Sequence, residues 1–257
     1  MYMRHHAHSV FVISLLLLAA ALLVGCSKDG ASVIERHKVQ GLAQLKRLQG
    51  VAEMMRDQPP LIADTPSLPF ATASFQTNNY PPTDGALVLA EWLTEEGLHK
   101  DSFSVESVGV VKDPFWGRSW AWLITGKNPD GSPPERRYPG ISMEEDLQAF
   151  VKVKYLGVVR TVEFRSPEVT GENSYMGGRY RVDIFFFELA DTPKYLGGLL
   201  VDAVNDPERQ FQYQTESREE DMRKELVSNL DYRSREAFDK VMAEHTKGNA
   251  VNSKSSK

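Results

Sequence analysis

The chain has one cysteine, Cys26, among its 257 residues. A single thiol makes no intramolecular disulfide and no multi-cysteine zinc site. There is no surplus of positive charge either. Thirty Lys and Arg stand against 35 Asp and Glu, giving a net charge of −5, which disfavours a nucleic-acid surface. No apolar run reaches the roughly 20 residues of a membrane-spanning helix; the run from Val10 to Val24 has 15. The phosphate-cradling patterns G-x-x-x-x-G-K-[ST] and G-x-G-x-x-G are missing, and so is H-E-x-x-H. What remains, 41% hydrophobic and 25% charged, is the composition of an ordinary globular body.

The first thirty residues are the most informative. Arg4 and three histidines precede the apolar run, and Leu23-Val24-Gly25-Cys26 closes it. A positive start, a short apolar stretch and small residues make the plan of a secretory signal peptide. The ending resembles a bacterial lipobox: an aliphatic residue, a small or β-branched one, Gly or Ala, then Cys. The resemblance implies cleavage before Cys26, a diacylglycerol on its sulfur and an acyl chain (palmitate) on its new amino group. Each buried CH₂ contributes about 0.8 kcal/mol, and more than one chain gives stable anchoring. Ser27, where Asp would resemble an inner-membrane retention signal, points to the outer membrane of a Gram-negative cell. The expected partners are therefore a membrane, through lipid on Cys26, and an envelope protein, with no nucleic acid.

Organisation follows from local signals. Residues 1–25 read as signal peptide and 26–31 as a lipidated tether. Residues 32–83 read as an N-terminal helix and a Pro-rich segment, 84–246 as an α+β domain, and 247–257 as a disordered tail. Ser32-x-x-Glu35 has capping-box spacing, and Leu42, Leu45, Leu48, Val51 and Met55 recur at helical steps. Six of the 14 prolines fall in residues 58–82, which marks a loop or wrapping segment. Ala86 to Leu93 and Phe103 to Val111 read as strands, and Arg118 to Thr125 as an aromatic-rich strand. Ser142-x-x-Glu145 and Ser217-x-x-Glu220 are further capping boxes. The second of these helices is expected to break near Asp231. Between them lie expected strands at 151–164, 179–189 and 195–204, with a further strand at 211–215. Their short turns favour an antiparallel meander. The fold class expected is α+β: an antiparallel β-meander with packed amphipathic helices.

Residues 145–245 resemble the second half of the small α/β domains of some envelope lipoproteins, the penicillin-binding-protein activators and curli-assembly lipoproteins. Where those domains carry a D-x-x-T-G-E turn, this chain has Ala190-Asp-Thr-Pro-Lys194. No catalytic motif comes with the resemblance.

Chemistry is sparse. Gly117-Arg-Ser119-Trp-Ala121 is a degraded nucleophile elbow, better read as a Ser beside buried aromatics. His37, His99 and His245 have no metal-ligand spacing. Glu144, Glu145 and Asp146 suit the first turn of a helix through the macrodipole. Glu163, Glu168, Asp183 and Glu188 supply carboxylates near strand ends, with nothing to rank one pair as the facing pair a glycosidase needs. Gly177-Gly178 and Gly197-Gly198 read as turns or bulges. Arg136-Arg137 reads as a solvated pair. Three of the four tryptophans, Trp116, Trp120 and Trp122, fall within seven residues. As a strand, this segment puts Trp120 and Trp122 on one face, either as core or as a surface for a ligand or partner. No catalytic residue, cofactor or metal is expected. The sequence favours a non-catalytic binding, assembly or regulatory module over an envelope enzyme acting on peptidoglycan or polysaccharide.

Overall fold

The computed structural model describes residues 30–75, 84–93, 111, 115–128, 130–135, 137–138, 141–171, 174–207 and 217–247. The fold is α+β. A four-stranded sheet has helices against both faces. Its strands, in spatial order, are β2 (Gly85–Leu89), β5 (Tyr155–Arg165), β8 (Arg179–Glu188) and β9 (Lys194–Val204). The last three form the expected antiparallel meander. β2 joins β5 in parallel, with Ala86 opposite Leu156 and Val88 opposite Val158.

Period-two alternation in β8 divides the core. Phe185 and Phe187 face one side; Val182, Ile184 and Phe186 face the other. The first side is covered by α1 (Gly30–Arg56), α2 (Phe115–Thr125) and α3 (Met143–Lys152). The second is covered by α4 (Arg218–His245), β1 (Leu68–Ala71) and the 3₁₀ turn Thr72–Phe75. Phe70, Phe75 and Phe186 pack there with ring centroids 4.9 to 5.2 Å apart, the tilted geometry aromatic quadrupoles prefer.

α1 is longer than its capping box predicts. It begins two residues before Ser32, and Gly30 donates its N–H to the Pro134 carbonyl at 3.2 Å. A tertiary contact thus satisfies one of the four donors that a helix start leaves open. Val33, Leu45, Leu48 and Val51 are buried, while Leu42 lies outside that stripe. The two helix-weakening glycines make close approaches. A Cβ at Gly41 would lie 2.5 Å from Leu123 Cδ2, and one at Gly50 would lie 3.1 Å from Pro193.

Arg118 to Thr125 is helix, not strand. Ser119, Trp122 and Leu123 are buried while Ile124 is exposed, the i, i+3, i+4 pattern of a helical stripe. A short apolar run does not separate helix from strand by periodicity, and packing against α1 and α3 decides it. The boxes at Ser142 and Ser217 are genuine N-caps: each hydroxyl accepts the N–H of the Glu three residues on, at 3.4 Å. α4 runs unbroken past Asp231. The expected strand from Val151 starts at Tyr155, because α3 continues to Lys152. Between β5 and β8 the chain pairs as the hairpin β6 (Glu168–Gly171) and β7 (Ser174–Met176). Two short strands, β3 (Arg137–Tyr138) and β4 (Ile141–Ser142), form a ribbon ahead of α3. The expected strands at 103–111, apart from Val111, and at 211–215 lie outside the described residues, as does the tail beyond Lys247.

The Pro-rich segment does wrap. After α1 it crosses the outer edge of β9. There Thr65 donates its N–H to the Gly198 carbonyl, and Gly198 donates its own to Thr65 Oγ1, both at 2.8 Å. Leu200 N–H donates to Asp64 Oδ1 at 2.6 Å. An edge strand's open donors and acceptors are thereby covered. Gly197 has φ +141, and its missing Cβ leaves room for Thr65.

Candidate functional site

Trp122 sits where α2 meets the turn that follows it. It is wholly buried, and its indole N–H donates to Asn128 Oδ1 at 2.9 Å. Asn128 in turn donates to Ser132 Oγ at 2.8 Å and to the Pro133 carbonyl at 2.9 Å. This closes the Lys127–Gly131 turn, where Gly126 and Gly131 take positive φ. Pro134 then meets the start of α1 at Gly30. Trp122 is therefore core, with its polar atom satisfied as a buried indole requires. Trp120 and Trp122 lie in a helix, two residues and about 200° apart, so the period-two pairing on one face does not hold. The side chains of Trp116 and Trp120 lie outside the described residues, as do Cys26, His99 and Arg136 and the side chain of Arg137.

The acidic start of α3 ties the helices together. Glu144 accepts from Arg36, and its Oε1 lies 2.6 Å from His37 Nε2. The His37 hydrogen bond, with help from Arg36, holds its carboxyl down at about 2. The macrodipole explains an acid at this position, but the cation-bearing face of α1 fixes which one is used. Two residues on, Asp146 is fully buried, and burial alone pushes its carboxyl up to about 7. Ser119 Oγ is likewise buried and finds no hydrogen-bond partner among the described residues. It lies inside a helix rather than on a strand-to-helix elbow.

The strand carboxylates are dispersed. Asp183, 2% exposed at its side chain, accepts from Arg160 at 2.9 Å and from Leu61 N–H at 3.1 Å. Arg160 also donates to the carbonyls of Gln58 and Pro59 at 2.8 and 3.0 Å, and its guanidinium lies 4.6 Å from the centre of the Phe185 ring. Glu163 lies 3.5 Å from Arg179 on the neighbouring strand. Glu168 is in the separate β6–β7 hairpin, and Glu188 ends β8 opposite Lys194. His245 lies 3.8 Å from Asp64. Another polar cluster joins the end of β9 to α4: Asn205 donates to the Leu226 carbonyl at 2.7 Å and to Asn229 Oδ1 at 3.0 Å. It also accepts the Gly178 N–H at 2.7 Å, which gives that glycine pair its place at a turn.

Glu144, Asp183 and Asn205 each join two elements of the fold. Among the described residues, no three His, Cys, Asp or Glu side chains are placed to hold a metal ion. No helix among them is long and apolar enough to cross a membrane.

The outer surface of α1 is different in kind. Val39 is 82% exposed and Leu42 42%, and Ile124 of α2, next to the Leu123 that packs on Gly41, is 51% exposed. α1 carries five Lys and Arg against two Glu. On the opposite side of the sheet, α4 carries six cations against eight carboxylates. Nothing in the sequence separates Leu42 from the apolar stripe: it stands three residues before Leu45, and only the packing of α1 leaves it outside. In comparisons with protein-family models, curated proteins and solved structures, nothing matches the chain.

Proposed function

We propose that the protein is a membrane-anchored cell-envelope lipoprotein, a non-catalytic binding, assembly or regulatory module held by lipid on Cys26. In a Gram-negative cell it sits on the outer membrane, facing the periplasm. The observation that carries this reading is the ordered run from Arg4 through a 15-residue apolar stretch to Leu23-Val24-Gly25-Cys26. The fold supports it in one respect: α1 begins at Gly30, four residues beyond the cysteine, so signal and body are separate along the chain. The polar side chains support the non-catalytic part. Asp183, Glu144 and Asn205 each bridge elements of the scaffold.

Replacing Cys26→Ser tests the anchor. Cells fed a radiolabelled fatty acid should label the wild-type chain and not the variant, and the variant should leave the membrane fraction. Continued labelling of Cys26→Ser would sink the reading.

A further inference from the structure

We propose that the outer face of α1, centred on Val39 and Leu42, lies against a lipid surface carrying anionic headgroups. The inference rests on lipidation at Cys26. The tether is short. Gly30 is four residue steps beyond Cys26, and an extended chain spans at most about 3.3–3.6 Å per residue, so about 14 Å is the limit. α1, with 27 residues, is about 40 Å long at 1.5 Å per residue. Its first residue is held close to the bilayer, and Val39 comes about 14 Å further along the helix.

The side chains on this face suit a lipid boundary. Val39 projects almost entirely into solvent and Leu42 nearly half, with Ile124 exposed beyond the α1–α2 crossing. Lys38 and Lys46 are both exposed on the same helix. Apolar side chains flanked by long cations form the pattern of an interfacial helix: the apolar groups enter the headgroup boundary and the ammonium groups meet anionic lipid. Charge favours this helix over the far one. Arg36 and Arg47 of α1 are paired with Glu144 and Asp191, which leaves Lys38, Lys46 and Arg56 to meet an outside surface, whereas α4 on the far side has a net negative charge. An anionic surface attracts the first and repels the second. The carboxylates on this face of α1 are Glu35, already 3.2 Å from Lys38, and Glu53, about three turns beyond Leu42. They set the contact off toward the middle of α1 rather than its tip.

The test uses the lipidated chain in vesicles of phosphatidylethanolamine with phosphatidylglycerol. Lipid blocks the sulfur of Cys26, so an introduced cysteine is the one free thiol. Val39→Cys, Leu42→Cys and, on the far face, Tyr232→Cys are each spin-labelled; all three positions are exposed. Collision with a water-soluble nickel chelate should be at least halved at 39 and 42 on reconstitution, and unchanged at 232. Adding Lys38→Glu with Lys46→Glu should restore much of the collision rate at 39. Equal accessibility at 39 and 232, in a chain that still floats with the vesicles, would overturn the face assignment while leaving the anchor standing. A chain whose Cys26 proves unmodified by mass spectrometry, and which stays in the aqueous phase, would overturn both.

Discussion

Replacing Arg160→Met exposes how the Pro-rich strap is held. The substitution keeps the aliphatic stem but removes three contacts: those to Asp183 at 2.9 Å, the Gln58 carbonyl at 2.8 Å and the Pro59 carbonyl at 3.0 Å. Asp183 keeps only the Leu61 N–H that the strap supplies, and its side chain is 2% exposed. Breaking a buried pair by removing one partner typically costs 3–5 kcal/mol. Arg160 is 28% exposed, so the lower end applies, about 3 kcal/mol. Urea unfolding followed by far-UV circular dichroism measures this, with the m-value checked for constancy. The double variant Arg160→Met with Asp183→Asn should be more stable than Arg160→Met alone by at least about 1 kcal/mol, since no buried charge is then left unpaired. A single-variant loss below about 1 kcal/mol, the range of an exposed pair, would refute the account. So would a double variant less stable than the single.

Two carboxyls on α3 give opposite pH limbs. Glu144, held down at about 2 against an ordinary 4.5, stabilises the fold above about pH 4.5 and loses that contribution as pH falls toward 2. The side chain is 35% exposed, so screening limits the effect to about 1 kcal/mol. Glu144→Gln should flatten this limb in urea midpoints taken between pH 5 and 2. Asp146, pushed up to about 7 from 3.8, works the other way: its contribution is complete below about pH 4 and lost as pH rises through 7. Asp146→Asn should therefore gain on the wild type between pH 5 and 8. Trp122→Phe, which leaves Asn128 Oδ1 without its indole donor, should lower stability by about 1–3 kcal/mol in the same assay. An unchanged midpoint would show that solvent replaces the donor.

Local chemistry was readable and tertiary choice was not. Ser142 and Ser217 cap helices because an N-cap needs only a hydroxyl and an N–H three residues away. Ser32 has the same spacing but lies inside α1, which begins at Gly30 with its N–H on the Pro134 carbonyl. The alternation in β8 and β9 announces a meander because one register places every phenylalanine in a core. The parallel β2–β5 pairing has no local signature. The α2 segment RSWAWLIT looks like strand by its aromatics, and becomes helix because Trp122 and Leu123 must both face α1 and α3. For the same reason Trp120 and Trp122 do not share a face. Cys26 is legible as a linear pattern, which needs no folded partner. The α1 patch is not, since Val39 and Leu42 count as ordinary helix residues until the packing direction is known.

The ends of the body are sewn to each other. β1 pairs with β10 (Thr246–Lys247), Leu68 opposite Thr246, and the hydroxyls of Thr72 and Thr246 meet. Gln44 of α1 donates to the carbonyl of Val153, 109 residues later. Contacts of such sequence separation form late, because loop closure precedes their reward. The pairing of Leu68 with Thr246 therefore cannot form until the segment through residue 247 has left the ribosome. Until then β1 lacks the strand that ties it to the end of α4, and this face of the core is the last to close.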